Sequence, residues 1–280
     1  MKLYSVNSGN FKLDGGAMFG VVPKSIWNKS NPADENNMCS WAMRCLLVET
    51  DNRLILIDNG MGDKQNEKFF SFYYLHGNDT LERSLAKHGF GFDDITDVFL
   101  THLHFDHCGG SVKYTDDNKT KLAPAFKNAK YWSNSKHWEW ATHPNPREKA
   151  SFLKENILPI QESGQLNFID KEGEWIPGIE TLIVNGHTES MMLPLITHKG
   201  GKFLYCADLI PSVGHLPLPY VMGYDVRPLE TLKEKERILQ KAVAENWTLF
   251  FEHDSVNECC TLQNTERGIR QKDIALLSQL

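Results

Sequence analysis

The segment Thr101–His107, T-H-L-H-F-D-H, constrains this chain more than any other. It sets four side chains able to bind a metal, His102, His104, Asp106 and His107, within six residues. Packing alone does not explain so many imidazole and carboxylate groups in one short stretch, because each would have to be desolvated without a cation to compensate it. In an extended backbone His102 and His104 point the same way and can reach one ion. A turn after Phe105 would swing Asp106 and His107 toward a second, and Gly109-Gly110 permits the sharp path such a turn needs. The apolar run Asp97–Leu100 just before reads as a strand, so the cluster is expected in a loop at the strand's carboxyl end.

Around that segment the pattern alternates between the two periodicities. Trp41 to Thr50 is apolar and β-prone, Asp51-Asn52 is a turn signal, and Leu54 to Asp58 reads as the returning strand of a hairpin. Thr80 to His88 has helical spacing closed by Gly89. A helical insertion is expected around 133–162, broken at Pro144 and Pro146. Strands return at Glu180–Val184, Leu193–Thr197 and Lys202–Ala207, with Gly200-Gly201 as a hairpin connection. A long helix from about Leu229 to Asn246 leads into a strand at Thr248–Glu252. Strand pairs mixed with helices in both halves predict an α/β (α+β) architecture: a single domain over 1–280 in which two mixed β-sheets stack face to face with helices outside, an αββα sandwich.

Composition narrows the partners. A net charge of −6 disfavours nucleic acid, which needs Lys and Arg massed on one face. The start M-K-L-Y-S-V-N-S-G-N lacks the apolar run of a signal peptide, and no stretch has the length of a membrane-spanning helix, so a cytoplasmic protein with no membrane partner is expected. Cysteines 39, 45, 108, 206, 259 and 260 lack C-x-x-C spacing and read as reduced, packed thiols.

Further ligand candidates stand after apolar, strand-like runs: His187 in V-N-G-H-T, Asp208 in Y-C-A-D-L and His253 in F-F-E-H-D. With H-x-H-x-D-H, these elements resemble the metallo-β-lactamase superfamily in identity and order over most of the chain. The resemblance implies a binuclear site in which His102, His104 and His187 hold one metal, Asp106, His107 and His253 the other, and Asp208 bridges both. Asp58, in L-I-L-I-D-N-G, matches the family's aspartate behind the ligands and would orient the histidines; the alternative is a turn residue at the hairpin end. Imidazole and carboxylate donors without thiolate suit two Zn(2+) per chain, with Fe, Mn or Co able to substitute. Oxygen-reducing di-iron relatives carry Glu where this chain has His104, which favours hydrolysis by attack of metal-bound hydroxide, with the leaving alkoxide stabilised by the other metal or protonated by Asp106.

A second resemblance bears on the substrate. L-D-G-G-A-M-F-G-V-V-P-K at 13–24 followed by Trp27, A-D-L-I-P-S-V-G-H at 207–215 and P-L-P-Y-V-M-G-Y-D at 217–225 look like the N-acyl homoserine lactonase branch, whose substrates are small lactones and whose members suggest a homodimer. Met18, Phe19 and Met222 are then candidates for substrate binding; Met18 and Phe19 would equally pack a sheet edge. Several lactonases place a catalytic Tyr three residues after the bridging Asp, where this chain has Pro211; His215, Tyr220 or Tyr224 could supply the missing donor. The aromatic residues Phe69, Phe70, Phe72, Tyr73 and Tyr74 and the tryptophans 132, 138 and 140 could cap a cleft, form a subunit interface or pack the core. The rival chemistries on the same site are an arylesterase or phosphotriesterase and a glyoxalase II-like thioesterase. A nuclease or a non-catalytic metal-binding scaffold would be of another class.

Overall fold

The computed structural model describes residues 1–280. In chain order the strands are β1 (Lys2–Asp14), β2 (Met38–Glu49), β3 (Leu54–Ile57), β4 (Asp97–Phe99), β5 (Val112–Tyr114), β6 (Leu122–Pro124), β7 (Lys130–Ser133), β8 (Leu166–Phe168), β9 (Gly173–Ile176), β10 (Ile179–Val184), β11 (Met191–His198), β12 (Gly201–Tyr205), β13 (Thr248–Phe250), β14 (Cys259–Thr265) and β15 (Gly268–Ala275). The helices are α1 (Gly15–Phe19), α2 (Lys24–Trp27), α3 (Glu67–Ser71), α4 (Leu81–Lys87), α5 (Phe105–Cys108), α6 (Ser135–Thr142), α7 (Lys154–Glu162) and α8 (Pro228–Ala244). The chain forms two compact units, Met1–Gly9 with Met43–Lys171 and Asn10–Ala42 with Glu172–Leu280.

The first unit is built on a sheet of order β1-β2-β3-β4-β7-β8. Strand β2 is buried almost continuously from Trp41 to Val48, as a central strand covered on both faces must be, and pairs antiparallel with β3 through the expected hairpin. From β3 onward the pairing is parallel, β3 with β4, β4 with β7 and β7 with β8. The carboxyl ends of β3 and β4 therefore lie side by side, and Asp58 and the His102 loop leave from them. Leu47, Leu56, Val98, Leu100, Phe126 and Tyr131 share the core beneath. Helix α4 starts where Thr80 Oγ1 accepts from the Arg83 N–H. Helices α6 and α7 occupy the expected 133–162 region, with Pro144 and Pro146 between them.

The second unit holds the sheet β15-β14-β13-β12-β11-β10-β9. β10 and β11 and then β11 and β12 are antiparallel, so β10 runs with β12, and β12 is parallel to β13. His187, Asp208 and His253 follow β10, β12 and β13, so all three leave from one end of this sheet. The β11–β12 hairpin turns on Lys199-Gly200 rather than the expected Gly200-Gly201, because His198 pairs with Gly201 and takes it into the strand. Helix α8 begins with Pro at its first position and packs on β14 and β15.

One close approach fixes the path of the metal-binding segment within the first unit. The bond from Asn59 N–H to His107 O is 2.9 Å and that from Gly110 N–H to Gly60 O is 3.0 Å. A Cβ on Gly109 would lie 2.0 Å from the Met61 carbonyl oxygen. Gly109→Ala should therefore cost about 1–3 kcal/mol of stability through overpacking against a backbone that cannot yield. Thermal unfolding checks this, and a melting temperature equal to wild type would show that the two segments are less tightly apposed.

Candidate metal centre

In the first unit His104, at φ −64° and ψ 150°, is extended and caps α5. The helix begins at Phe105, earlier than the turn expected after it, because the His104 carbonyl accepts from both His107 and Cys108 N–H. That single turn brings the rings together: the His102 centroid lies 4.6 Å from that of His104 and 3.9 Å from that of His107. All four donor residues of this segment are buried.

Each ring is held from behind. Asp58, fully buried, accepts from Thr101 N–H at 2.8 Å and from Thr101 Oγ1 at 2.7 Å, and its Oδ2 lies 3.2 Å from His107 Nδ1. Thr101 Oγ1 is in turn 3.0 Å from His102 Nδ1. These contacts leave Nε2 of His102 and His107 as the forward atoms. For His104 the held atom is Nε2, 3.5 Å from Glu148 Oε1, which turns Nδ1 forward. Glu148 is itself fixed by Trp140 Nε1 at 2.7 Å and Asn145 Nδ2 at 2.5 Å. His137 of α6 accepts the Leu103 N–H at 2.8 Å, so the helical insertion braces the loop between the first two histidines.

The second unit repeats the arrangement. His187 Nδ1 meets Asp225 Oδ1 at 2.9 Å, and His253 Nδ1 donates to the Ala42 carbonyl at 2.8 Å. Their Nε2 atoms face the two oxygens of one carboxylate: His187 to Asp208 Oδ2 at 3.1 Å and His253 to Asp208 Oδ1 at 3.0 Å. Burial opposes a charge on His187, but Asp208 and Asp225 outweigh it and lift the ring to about 10. Two carboxylates around one buried imidazole thus make a place for positive charge. A carboxylate presenting each oxygen to a different imidazole has the form of a bridging ligand, and imidazoles tethered by carboxylate or carbonyl on the far nitrogen are what metal binding requires. The donor set fits divalent metal ions.

Thr101, His137, Glu148 and Asp225 were not singled out by the sequence. Thr101 and Asp225 stood within motifs already noted, at the head of T-H-L-H-F-D-H and at the end of P-L-P-Y-V-M-G-Y-D. His137 and Glu148 carry no local signal, because only the packing of the insertion brings them to the loop.

Residues 44–253 match the model of the metallo-β-lactamase superfamily. The chain belongs to that superfamily. Its fold is accordingly the superfamily's, mixed sheets with flanking helices, and it is a metal-dependent hydrolase. Among relatives, it is 27% identical to the N-acyl homoserine lactonase AiiA of Bacillus thuringiensis subsp. kurstaki over 273 residues, covering 92% of this chain and 94% of the relative. A crystal structure of a probable metal-dependent hydrolase from Staphylococcus aureus matches with a TM-score of 0.87 at 28% identity, covering 98% of each chain. AidC, described as a dizinc quorum-quenching lactonase in complex with a product, shares the fold with a TM-score of 0.79 at 22% identity, covering 98% of this chain and 94% of AidC. No helix is long and apolar enough to cross a membrane.

The residues expected on the substrate side of this superfamily member are placed differently from its metal donors. His215 is buried, with Nδ1 2.8 Å from Ser212 Oγ and Nε2 2.9 Å from the Met18 carbonyl. Both ring nitrogens of His215, a candidate replacement donor, are engaged in these contacts. Phe19 is sandwiched between His215, at 4.3 Å, and Trp27, at 5.2 Å, so neither face of its ring can line a pocket. Met18 is 1% exposed and Met222 4%, and Gly223 N–H donates to Ala17 O, so this segment packs in the second unit. All six cysteines are free and buried; burial pushes Cys108 up to about 12 and removes its reactivity.

Two expectations follow. Asp225→Asn should weaken metal binding by about 10–100-fold by loosening His187, measured by chelator competition; equal affinity would deny the tether its role. Burial holds the His215 ring down to about 3, so the unfolded chain binds a proton that the folded chain refuses between about pH 6.5 and 3. Stability should therefore fall with pH through that window, by up to about 1.4 kcal/mol per pH unit for this one group, and His215→Asn should flatten the slope in urea titrations.

Proposed function

We propose that this chain is a binuclear metal hydrolase that opens the lactone ring of N-acyl homoserine lactones. The observation that carries the reading is the Asp208 carboxylate, whose two oxygens each meet a separately tethered histidine. The likeness to Bacillus lactonases along nearly the whole chain supports the choice of substrate. In this reading His102, His104 and His187 would hold one ion and Asp106, His107 and His253 the other, with Asp208 available to both, as the superfamily resemblance implies. Zinc fits this donor set, and Fe, Mn or Co would be accepted in its place.

Two cations held there supply Lewis-acid polarisation of the carbonyl and bring the pKa of a water toward neutrality. The protein's own groups do the rest. The tethers aim the forward nitrogens before substrate arrives. Asp106 is 8% exposed, and its Oδ2 lies 3.7 Å from His107 Nε2. Its carboxylate takes the proton released by the attacking water and returns it to the leaving ring oxygen, so the alkoxide departs as an alcohol. Phe105 packs with Phe69 at 5.2 Å and Tyr73 at 4.7 Å, an aromatic group beside Asp106 suited to an apolar acyl chain. His215, with both nitrogens engaged, packs rather than reacts. Tyr220 packs edge-on against Phe19 and, with half-exposed Tyr224, is the remaining phenolic candidate for holding the substrate carbonyl.

Metal analysis of the purified protein should find about two ions per chain, and a pH-stat assay on N-hexanoyl homoserine lactone should record acid release. Two bound ions with no lactone turnover but rapid thioester or phosphotriester hydrolysis would replace the substrate and leave the centre standing. Asp106→Asn should lower kcat by about 100-fold or more at full metal occupancy, the scale of a lost proton-transfer group. Full activity in that variant would remove Asp106 from proton transfer.

A further inference from the structure

Two buried charges on α8, Glu234 and Lys235, lie outside the chemistry described so far. They are adjacent in sequence, opposite in sign, and 6% and 1% exposed on a helix whose other buried side chains include Thr231, Ile238, Leu239 and Ala242. Burying a charge is costly unless hydrogen bonds compensate it, so both positions call for a reason. The geometry points to α8 as the element that positions His187 and the carboxylate behind it, an inference that rests on the metal-centre reading above.

Glu234 spends both carboxylate oxygens on one turn. Oε1 accepts from Asn185 N–H at 2.6 Å and Oε2 from Gly186 N–H at 2.9 Å, the two residues directly before His187. The turn is pressed onto the helix: a Cβ on Gly186 would lie 2.3 Å from Thr231 Oγ1. Its carbonyl side is held by the residues leading into α8, with Arg227 N–H donating to Gly186 O at 2.9 Å, Val226 N–H to His187 O at 3.2 Å and the Arg227 guanidinium to Asn185 O at 2.8 Å. Lys235 holds a different loop. Its ammonium donates to the carbonyls of Pro217 and Tyr220, both at 2.9 Å, and lies 3.4 Å from that of Leu218. That loop runs on to Asp225, whose Oδ1 meets His187 Nδ1. One helix therefore fixes both partners of the Asp225–His187 hydrogen bond, the histidine through Glu234 and the aspartate through Lys235.

The chemistry explains why these are charged groups. Two convergent N–H donors want two acceptor oxygens, which a carboxylate has and a carboxamide lacks, and three carbonyls converging on one point want a group with donors only. Glu234→Gln keeps size and shape but turns an NH2 toward a backbone N–H. Lys235→Met keeps length and removes the donors. Glu234 and Lys235 are positioning residues.

The test uses the full chain and Zn(2+) as probe, with Glu236→Gln on the exposed side of α8 as control. Chelator competition should show one of two ions bound about 10–100-fold more weakly in Glu234→Gln and in Lys235→Met, the other ion unchanged, and the control equal to wild type. Lost activity should return in excess zinc. In metal-free protein the Asn185 and Gly186 amides, whose N–H groups Glu234 accepts, should exchange at least about tenfold faster in Glu234→Gln, a local opening short of global unfolding. Wild-type affinity for both ions together with wild-type exchange at these amides overturns the inference. If Glu234→Gln does not fold, Lys235→Met and Glu234→Asp carry the same two measurements. Absence of zinc binding in wild type would refute the metal-centre reading, while the exchange data still decide whether α8 orders the loop.

Discussion

The polar contact behind each imidazole is the interaction on which the site depends. A histidine that binds an ion with one nitrogen is free to rotate about its side chain unless the other nitrogen is fixed, and here the fixing groups are Asp58, Thr101, Glu148, Asp225 and the Ala42 carbonyl. Fixing them has a structural cost, since Asp58 and Asp225 are carboxylates at 0% and 3% exposure. Asp58 is compensated within the first unit by three contacts, two from Thr101 and one from His107, so its charge is satisfied by the very segment it orders. The tethers also choose the tautomer: a proton on the rear nitrogen leaves a lone pair on the forward one.

The backbone makes a matching concession at two of these points. Asp58 has φ 54° and Ala207, directly before Asp208, has φ 41°, a region that L residues other than Asn and Asp seldom adopt. Each follows a strand whose pairing is already complete, β3 between β2 and β4 and β12 between β11 and β13. A reversal in the left-handed region turns the next side chain away from the direction the pleat would give it. Ladders that over-determine the preceding residues can support such a conformation, and the strained one, at Ala207, stands directly before the Asp208 donor.

Much of this was legible in the sequence because the determinants are local. The spacing of His102, His104 and His107 and the apolar runs before Asp58, His187, Asp208 and His253 placed every donor at a strand end, and the Thr80–His88 helix and the β2–β3 hairpin followed from capping and turn residues. What escaped is non-local. Glu148 reaches His104 only because α6 and the turn after it fold back on the loop, and Glu234 looked like any charge on a solvated helix face until β10 delivered its turn to α8. The start of α5 at Phe105 was missed because a backbone carbonyl, which has no sequence signature, nucleated it.

Pro211 shows how a departure from a family pattern can be absorbed. It stands buried where several lactonases carry a phenol, and its carbonyl accepts the His253 N–H at 3.2 Å. Proline can do that work, because only the carbonyl is used and a fixed φ holds it in place. Four residues on, the His215 ring binds Ser212 and the Met18 carbonyl and is covered by Phe19, so this stretch is committed to holding the second unit's packing and the approach to His253. Residues 211–215 are thus occupied with anchoring the second unit. In the following loop Lys235 Nζ donates to the Tyr220 carbonyl at 2.9 Å, and Gly223, beside the exposed Tyr224, donates its N–H to the Ala17 carbonyl at 2.8 Å.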